Sequence, residues 1–426
     1  MAKEIREIGK KAKLSSSAHN FPIVGIGASA GGLDAFKQLL EAIPADSGMA
    51  YVLVQHLNPA HESMLTEILA RVTKIPIEEI TDEVKILPNH IYVMPSGKIL
   101  TSVDGVLKLT PRDIVKTNLV IDIFFTSIAV VWESMAVGVV LSGTGADGTV
   151  GLKMIKEHGG ITIVQDESAE YGDMAQSAVN AGVVDFVLLP EKIPAHLLHI
   201  GNTYAVAHAL GEEEELPKDD EAVFTQILNL LHQRSGVDFT YYRQSTVRRR
   251  IGRRMALQKR GNLADYLKFL RSDKAEQDAL FQDMLIPVTA FFRDPKTFET
   301  LTEKVFPALF KNKTADDTIR FWIAGCSTGQ EAYSIAICLH EFLGMKITNR
   351  HIQIFASDIS ERAIKKARTG MYSKAEVQTI SDERLRNYFT KTDGSYLVNK
   401  TIRDLCVFAN HNFLKDPPFA KMDLIT

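Results

Sequence analysis

Three times in this sequence a short apolar run ends in a glycine-rich turn and passes into a helical pattern: "FPIVGIGASAGGLDAF" from Phe21, "MAVGVVLSGTGADGTVG" from Met135 and "IRFWIAGCSTGQEAYSIA" from Ile319. Strands that alternate with helices predict a parallel sheet with helices on both faces. Residues 21–27, 50–55, 91–94 and 135–141 read as the strands of a first such unit. Within it, "KILTSVDGVLKL" has two strand-like arms around Asp104-Gly105, a dipeptide suited to tight hairpin turns. A second strand–helix alternation runs through "IRFWIAGCSTGQE" and "HIQIFASDIS".

Between these units the pattern changes. "GEEEELPKDDE" holds seven acidic residues, one lysine and one proline, too polar to bury a core, and reads as a solvated linker. After it, Phe224, Ile227, Leu228 and Leu231 share one helical face that ends at Gly236, and Leu263, Tyr266, Leu267 and Leu270 repeat that spacing. The expected order is a flexible tail (1–20), an α/β domain (21–205), the acidic linker (206–222), a small all-helical module (223–285) and a second α/β domain (286–426). A chain of 426 residues with 45% hydrophobic and 24% charged residues has room for roughly two to four such domains.

The net charge of −3 argues against a surface built throughout for nucleic acid. Cys326, Cys338 and Cys406 have neither C-x-x-C spacing nor zinc-finger histidines, so no disulfide framework or metal site is expected, and a reducing cytoplasmic setting fits. The basic N-terminus lacks an apolar segment of signal-peptide type. The longest apolar region, residues 118–141, is broken by Asp122 and Glu133, and no membrane insertion is expected.

The first glycine turn has two incompatible readings. Gly25, Gly27 and Ala30 fit the dinucleotide pattern G-x-G-x-x-A, whereas Gly27, Ser29 and Gly31 fit the G-x-S-x-G of a nucleophile elbow. A dinucleotide fold wants an acid at the end of its second strand, to hold the ribose. The second strand here, "MAYVLVQHLNP", ends instead in Gln55 and His56, with His61 close by. "LSGTGADGTVG" imitates a dinucleotide turn through Gly143, Gly145 and Gly148, yet carries Asp147. Three strand ends therefore supply Ser29, His56 and Asp147, the groups of a nucleophile, its base and the base's orienting acid. Taken singly, each has a plainer reading: a packing turn, a histidine satisfying loop hydrogen bonds, and a helix-capping aspartate.

In "IGASAGG", "QHLNP" and "LSGTGADG" the first domain, from about Phe21 to Leu189, resembles the chemotaxis methylesterase CheB. The resemblance implies that Ser29, His56 and Asp147 form a triad that hydrolyses glutamate methyl esters on chemoreceptors, with glutamine deamidation as a related activity. Ala30 and Thr144 stand where many relatives have threonine and methionine. The regulatory form of the family carries a receiver domain ahead of the esterase; about 20 residues precede it here, so control by phosphorylation in the same chain is not visible in this sequence.

The helical module contains "YYRQSTVRRRIGRRMALQKRG", with eight Arg or Lys residues, no acid, and Val247, Ile251 and Met255 at i, i+4 and i+8. Such a run reads as a solvated helix surface with one packed stripe, or as a face for an acidic protein surface or nucleic acid. In the last unit "AGCSTGQE" follows a strand, and Asp358 in "FASDIS" ends the next, so this half carries the ribose-type acid that the first lacks. Together "VTAFFRD", "CSTGQEAYSIA", "FASDI" and "NHNFL" resemble the chemotaxis methyltransferase CheR, from Phe224 onward. The resemblance implies an incomplete Rossmann-like domain using S-adenosylmethionine, with Thr289 and Arg293 near the cofactor's methionine end and the reacting carboxylate. It also implies Glu331 near the methionine part, Asp358 on the ribose, and Asn412 with Phe413 near the adenine. The basic helix would then face an acidic receptor helix, ahead of nucleic acid.

Each carried-over residue again has a plainer reading. Arg293 would cap a turn, Glu331 would be a first-turn helix acid and Asp358 an N-cap. Pro287 and Gln330 depart from the family pattern, and the family continues past "DLIT" with a Cys-Arg-Asn segment and further strands. The chain as given is therefore expected to be weak or inactive in methyl transfer and poor at folding its last unit, because an unpaired sheet edge would be exposed. The combined expectation is a receptor-modifying pair of opposing enzymes. A non-catalytic receptor-binding scaffold and a hydrolase of other esters stand as alternatives.

Overall fold

A computed structural model of the chain describes residues 21–56, 64–112, 119–201, 217–285, 289–314, 317–344, 347, 350–374, 376–377, 380–392 and 395–426. The predicted tail at 1–20, His61, most of the acidic linker at 206–216 and Pro287 lie outside them. The chain divides into two compact units, Met1–Met284 and Leu285–Thr426.

The first unit is built on β1 (Ile23–Ala28), β2 (Ala50–Gln55), β3 (Ile77–Glu79), β4 (Val84–Lys85), β5 (His90–Val93), β6 (Lys98–Val103), β7 (Val106–Pro111), β8 (Ala136–Val140), β9 (Ile161–Gln165) and β10 (Phe186–Leu188). Seven of them form one parallel sheet in the order β10-β9-β8-β1-β2-β5-β3. From β1 the chain first moves through β2 to one edge, then returns to β8 on the other side of β1 and proceeds to the opposite edge. The strand order thus reverses at β1 and β8, and a crevice opens beyond the carboxyl ends of strands at such a reversal. Residues of β1, β8 and β9 are buried throughout, which explains why these strands read as continuous apolar runs and not as alternating ones. The hairpin expected at Asp104-Gly105 is β6–β7, with both turn residues at positive φ (50° and 77°), and β4 completes a small antiparallel sheet beside it.

Helices α1 (Gly32–Glu41), α2 (Leu65–Leu69), α3 (Val120–Trp132), α4 (Thr149–Glu157) and α5 (Asp173–Asn180) belong to this α/β region. Helix α3 begins in direct contact with β1. A Cβ on Gly27 would stand 2.5 Å from Ile121 Cγ2, so only glycine lets the start of α3 come this close to the strand that precedes Ser29.

The all-helical module follows as α6 (Lys218–Ser235), α7 (Gln244–Leu257), α8 (Leu263–Ser272) and α9 (Lys274–Met284). Helix α6 starts inside the segment read as linker. Pro217 stands at its N-cap and Asp219, Asp220 and Glu221 occupy the first turn, where the helix dipole favours negative charge. The apolar faces expected on α6 and α8 are buried, Gly236 ends α6 in the left-handed region, and the Asn262 side chain caps α8.

Helix α7 corrects the reading of the basic run as a solvated or partner-facing surface. Val247, Ile251 and Met255 are buried as expected, but so are Arg248, Arg250 and Arg253. Arg250 donates to the carbonyl oxygens of Lys156 (2.7 Å) and Glu157 (2.5 Å) at the end of α4, and Arg253 donates to Gly160 O (3.1 Å). The Arg253 guanidinium also pairs with Asp185 and Asp283, Arg249 pairs with Glu133, and Arg254 forks onto buried Glu276. The physical reason is local: a helix C-terminus leaves its last carbonyls without intrahelical partners, and the guanidinium fork fits both those carbonyls and carboxylates. Burial pushes Arg250 down to about 10. Burial alone would raise Asp185, but the Arg253 and Lys156 charges beside it hold it below the usual carboxylate range.

The second unit has α10 (Pro295–Thr300), α11 (Phe306–Phe310), β11 (Thr318–Ala324), α12 (Gln330–Leu343), β12 (His351–Asp358), α13 (Glu361–Thr369), β13 (Met371–Ser373), α14 (Asp382–Tyr388), β14 (Phe389–Thr392), β15 (Ser395–Val398), β16 (Cys406–Asn410) and β17 (Leu424–Ile425). Its parallel sheet runs β16-β12-β11-β17, with the reversal at β11, and β13-β15-β14 form a separate antiparallel sheet. The fold class read from the sequence is therefore present in both units. Among the described residues, no helix is long and apolar enough to cross a membrane.

Replacing Arg253 by methionine removes the guanidinium shared by Asp185 and Asp283 and should cost about 3–5 kcal/mol at neutral pH, read as a lower urea midpoint. Because the folded Asp185 value lies below its ordinary one, this stability is present above that ordinary value and is lost as pH falls through the folded value. The gap between wild type and variant should close over that range.

Candidate active site

The site of the first unit is assembled by strand register. Ala28 pairs with Gln55 at the ends of β1 and β2, so Ser29 and His56 are the next residues of adjacent parallel strands. Gly27 pairs with Val140 of β8, the strand whose following loop carries Asp147. All three leave the carboxyl edge of the sheet around the β1/β8 reversal.

Asp147 is buried, at 4% exposure, and its carboxylate collects four hydrogen bonds. Oδ2 accepts from Ile121 N–H (2.9 Å), and Oδ1 accepts from Asp122 N–H (2.9 Å) and from Gly148 N–H (2.9 Å). The Ile121 and Asp122 amides are first-turn donors of α3, which have no intrahelical acceptor and lie at the positive end of the helix dipole. The fourth bond runs between Oδ2 and His56 Nε2, at 2.7 Å. A carboxylate only accepts, so Nε2 carries the proton and Nδ1 is the ring nitrogen left with a lone pair.

Ser29 is fixed through its backbone. Its N–H donates to Ser142 O (2.9 Å), while its O accepts from Gly32 N–H (3.1 Å) and Gln55 Nε2 (3.3 Å). Among the described residues no hydrogen bond joins the Ser29 hydroxyl to His56; such bonds are often long before substrate is bound. Gly31 has φ 70°, and a Cβ there would meet Ser142 Oγ at 2.6 Å and Glu170 Oε2 at 2.8 Å. The amide of Gly32 is spent on Ser29 O and is not a free oxyanion donor. Among the described residues, the N–H groups of Ala30 and Gly31 have no protein acceptor.

Sequence reasoning passed over Ser142. It is 1% exposed, its N–H donates to Gln165 Oε1 (2.9 Å), and its hydroxyl donates to Ala30 O (2.8 Å) while accepting from Tyr171 N–H (3.0 Å). One small side chain thus joins the serine turn, the aspartate loop and the segment after β9. Its only sequence signal was its place inside "LSGTGADG".

In the second unit, Asp358 ends β12 beside the turn that follows β11. Its Oδ2 accepts from Ser327 N–H (2.8 Å) and its Oδ1 from Ser360 N–H (2.8 Å); the cap of α13 is Ser360, not Asp358. Each carboxylate oxygen keeps a further lone pair. Glu331 lies in the first turn of α12, and Asn412 and Phe413 follow β16, with Phe413 61% exposed. Arg293 follows Phe292, whose N–H donates to Ser334 Oγ of α12 (3.1 Å); Thr289 is half-buried and Arg293 exposed. The carboxyl ends of β11, β12 and β16 thus gather Glu331, Asp358, Asn412 and Phe413 at one edge of the sheet. Gly325, at φ 75°, has nothing within 4 Å of where a Cβ would lie, so a ligand can approach the turn's backbone. An acid at a strand end, an open glycine turn and an exposed aromatic fit a nucleoside-type cofactor. Among the described residues, no group of three or more His, Cys, Asp or Glu is placed to hold a metal ion.

Three family models match the chain: CheB methylesterase over residues 24–197, the all-alpha domain of CheR methyltransferase over 222–285, and the SAM-binding domain of CheR methyltransferase over 287–426. An uncharacterized 104.1 kDa protein of Rhodobacter capsulatus is 35% identical over 382 residues, 85% of this chain; the match spans only 40% of that relative. A putative protein-glutamate methylesterase/protein-glutamine glutaminase of Leptospira interrogans is 36% identical over 41% of this chain and 92% of its own length. A chemotaxis protein methyltransferase of Salmonella typhimurium is 31% identical over 46% of this chain and 67% of its own length. Among solved structures, the Thermotoga maritima CheB methylesterase catalytic domain is 28% identical, covering 42% of this chain and 98% of that one, with a TM-score of 0.40.

Proposed function

The chain belongs to the CheB methylesterase family, joined in one polypeptide to CheR methyltransferase domains, and from that premise we propose that it both removes and adds methyl esters on glutamate side chains of chemoreceptor-type signalling proteins. The observation that carries the esterase reading is the His56–Asp147 hydrogen bond, made where strand register brings Ser29 alongside.

In this reading His56 Nδ1 takes the Ser29 proton as Oγ attacks the ester carbonyl. The Ala30 and Gly31 amides stabilise the oxyanion, each such donor being worth typically about 100- to 1,000-fold in rate. Asp147 holds the imidazole in the required tautomer and balances the imidazolium. The proton then passes from Nδ1 to the departing methoxide, giving methanol and an acyl-serine. Water attacks that ester, His56 accepts its proton and returns it to Ser29 Oγ, and the glutamate carboxylate leaves. A primary amide would follow the same path with ammonia as leaving group, which accounts for glutamine deamidation.

The second unit contains a SAM-binding domain. S-adenosylmethionine supplies an electrophilic methyl group when bound. Asp358 would hold the ribose hydroxyls, Glu331 the methionine part and Asn412 with Phe413 the adenine, while Thr289 and Arg293 would orient the accepting carboxylate. Three free cysteines, Cys326, Cys338 and Cys406, suit a reducing compartment, and we place the protein in the cytoplasm beside receptor tails.

Ser29→Ala should abolish methanol release from methylated receptor peptides and leave the unfolding transition unchanged; retained release would refute the triad. Asp358→Ala should weaken S-adenosylmethionine binding about 10-fold or more, the value of one or two hydrogen bonds to a charged acceptor, as titration calorimetry would read. Unchanged affinity would remove Asp358 from the site.

A further inference from the structure

Helix α3 carries a second buried acid that the esterase chemistry does not use. Asp122 lies in the first turn of α3 and is 4% exposed. Its backbone and side chain point to different neighbours: its N–H donates to Asp147 Oδ1 (2.9 Å), while its own Oδ1 accepts from Gly151 N–H (2.7 Å) in the first turn of α4. Asp147 sits in the loop just ahead of α4, so Asp122 spans the gap between the two helix starts on either side of that carboxylate.

The two acids are unequally provided. Asp147 has three backbone amides and an imidazole. The Asp122 carboxyl accepts from Gly151 N–H through Oδ1, while its Oδ2 is buried without a hydrogen bond. A buried carboxylate so poorly solvated, beside a second carboxylate, is costly, whereas a carboxylic acid of the same shape is far less so. Burial, and then the Asp147 charge, push the Asp122 carboxyl well above the usual carboxylate range.

We propose, on the basis of the triad reading above, that Asp122 is a positioning residue: a buried carboxyl that locks the start of α3 to the start of α4 and thereby aims the Ile121 and Asp122 amides at Asp147. Its shape and its acceptor oxygen carry this role, and a negative charge does not. Removing the acceptor frees Gly151 N–H and lets the α3 terminus drift from Asp147, which loosens the His56 orientation without touching the substrate. Small misplacements of this kind cost about 100-fold in rate at the upper end.

The test is a set of full-chain variants assayed for methanol release from a methylated receptor peptide, with kcat and KM separated and folding followed by urea denaturation. Asp122→Asn keeps shape and acceptor and cannot ionise; it should keep at least about a third of the wild-type kcat. Asp122→Ala should lower kcat about 10- to 100-fold with KM changed less than about threefold, and Asp147→Asn should fall further, by about 10,000-fold. An Asp122→Asn variant that folds but is as poor as Asp147→Asn would overturn the proposal, as would a folded Asp122→Ala variant with wild-type kcat. If Asp122→Ala does not fold, the asparagine variant alone decides. Ser29→Ala in the same series separates the two levels: an active Ser29→Ala overturns the triad and this inference together, whereas an inactive one with a crippled Asp122→Asn overturns the inference only.

Discussion

The carboxylate of Asp147 is the point on which the first unit converges. It terminates α3 from outside by accepting the Ile121 and Asp122 amides, turns its own loop through Gly148 N–H, and orients His56 through Nε2. A helix start needs acceptors for its first amides, and the imidazole we propose as base needs a partner on its far nitrogen; one buried residue is placed for both. The surrounding sequence is constrained accordingly. Gly27 lets α3 close on β1, the parallel register places Ser29 beside His56, and Ser142 pins the serine turn to the aspartate loop.

Helix α4 extends this arrangement across the unit. Its N-terminal end follows directly on the Asp147 loop, and its C-terminal carbonyls are covered by Arg250 of the helical module. The same module contributes Arg253, which reaches Gly160 O, Asp185 and Asp283 from a fully buried side chain. A guanidinium is the side chain best suited to such a place, since it stays charged and offers several donors in a fixed plane. The helical module is therefore bound to the α/β region by the buried guanidinium groups of Arg250 and Arg253, and the two belong to one compact unit. The arginines of α7 named here are committed inside the protein, which leaves the recognition of any acidic partner to other surfaces.

Much of this was legible in the residues. Continuous apolar runs marked the buried parallel strands, Asp104-Gly105 marked the hairpin, and the absence of an acid after the second strand directed attention to His56. The two acids inside the apolar region at 118–141 were visible as interruptions; Asp122 donates its N–H to Asp147 and Glu133 pairs with Arg249. What the sequence hid was partnership between distant segments. A run of arginines looks solvated until the exposed carbonyls of another helix are placed against it. Ser142 and Gln165, 23 residues apart, look unremarkable until the carboxyl ends of β8 and β9 lie side by side. In the second unit, Asp358 was recognisable from its strand-end position, whereas its two backbone amide partners depend on how the turn after β11 folds back.

The central claim is that Ser29 is a nucleophile activated through His56 by Asp147. Its most direct measurement is covalent labelling of the full chain by a fluorophosphonate ester, located by peptide mass spectrometry. One modified site, Ser29, is expected, with labelling slowed by orders of magnitude in His56→Ala. Modification at a different serine, or labelling of Ser29 at an unchanged rate without His56, would contradict it.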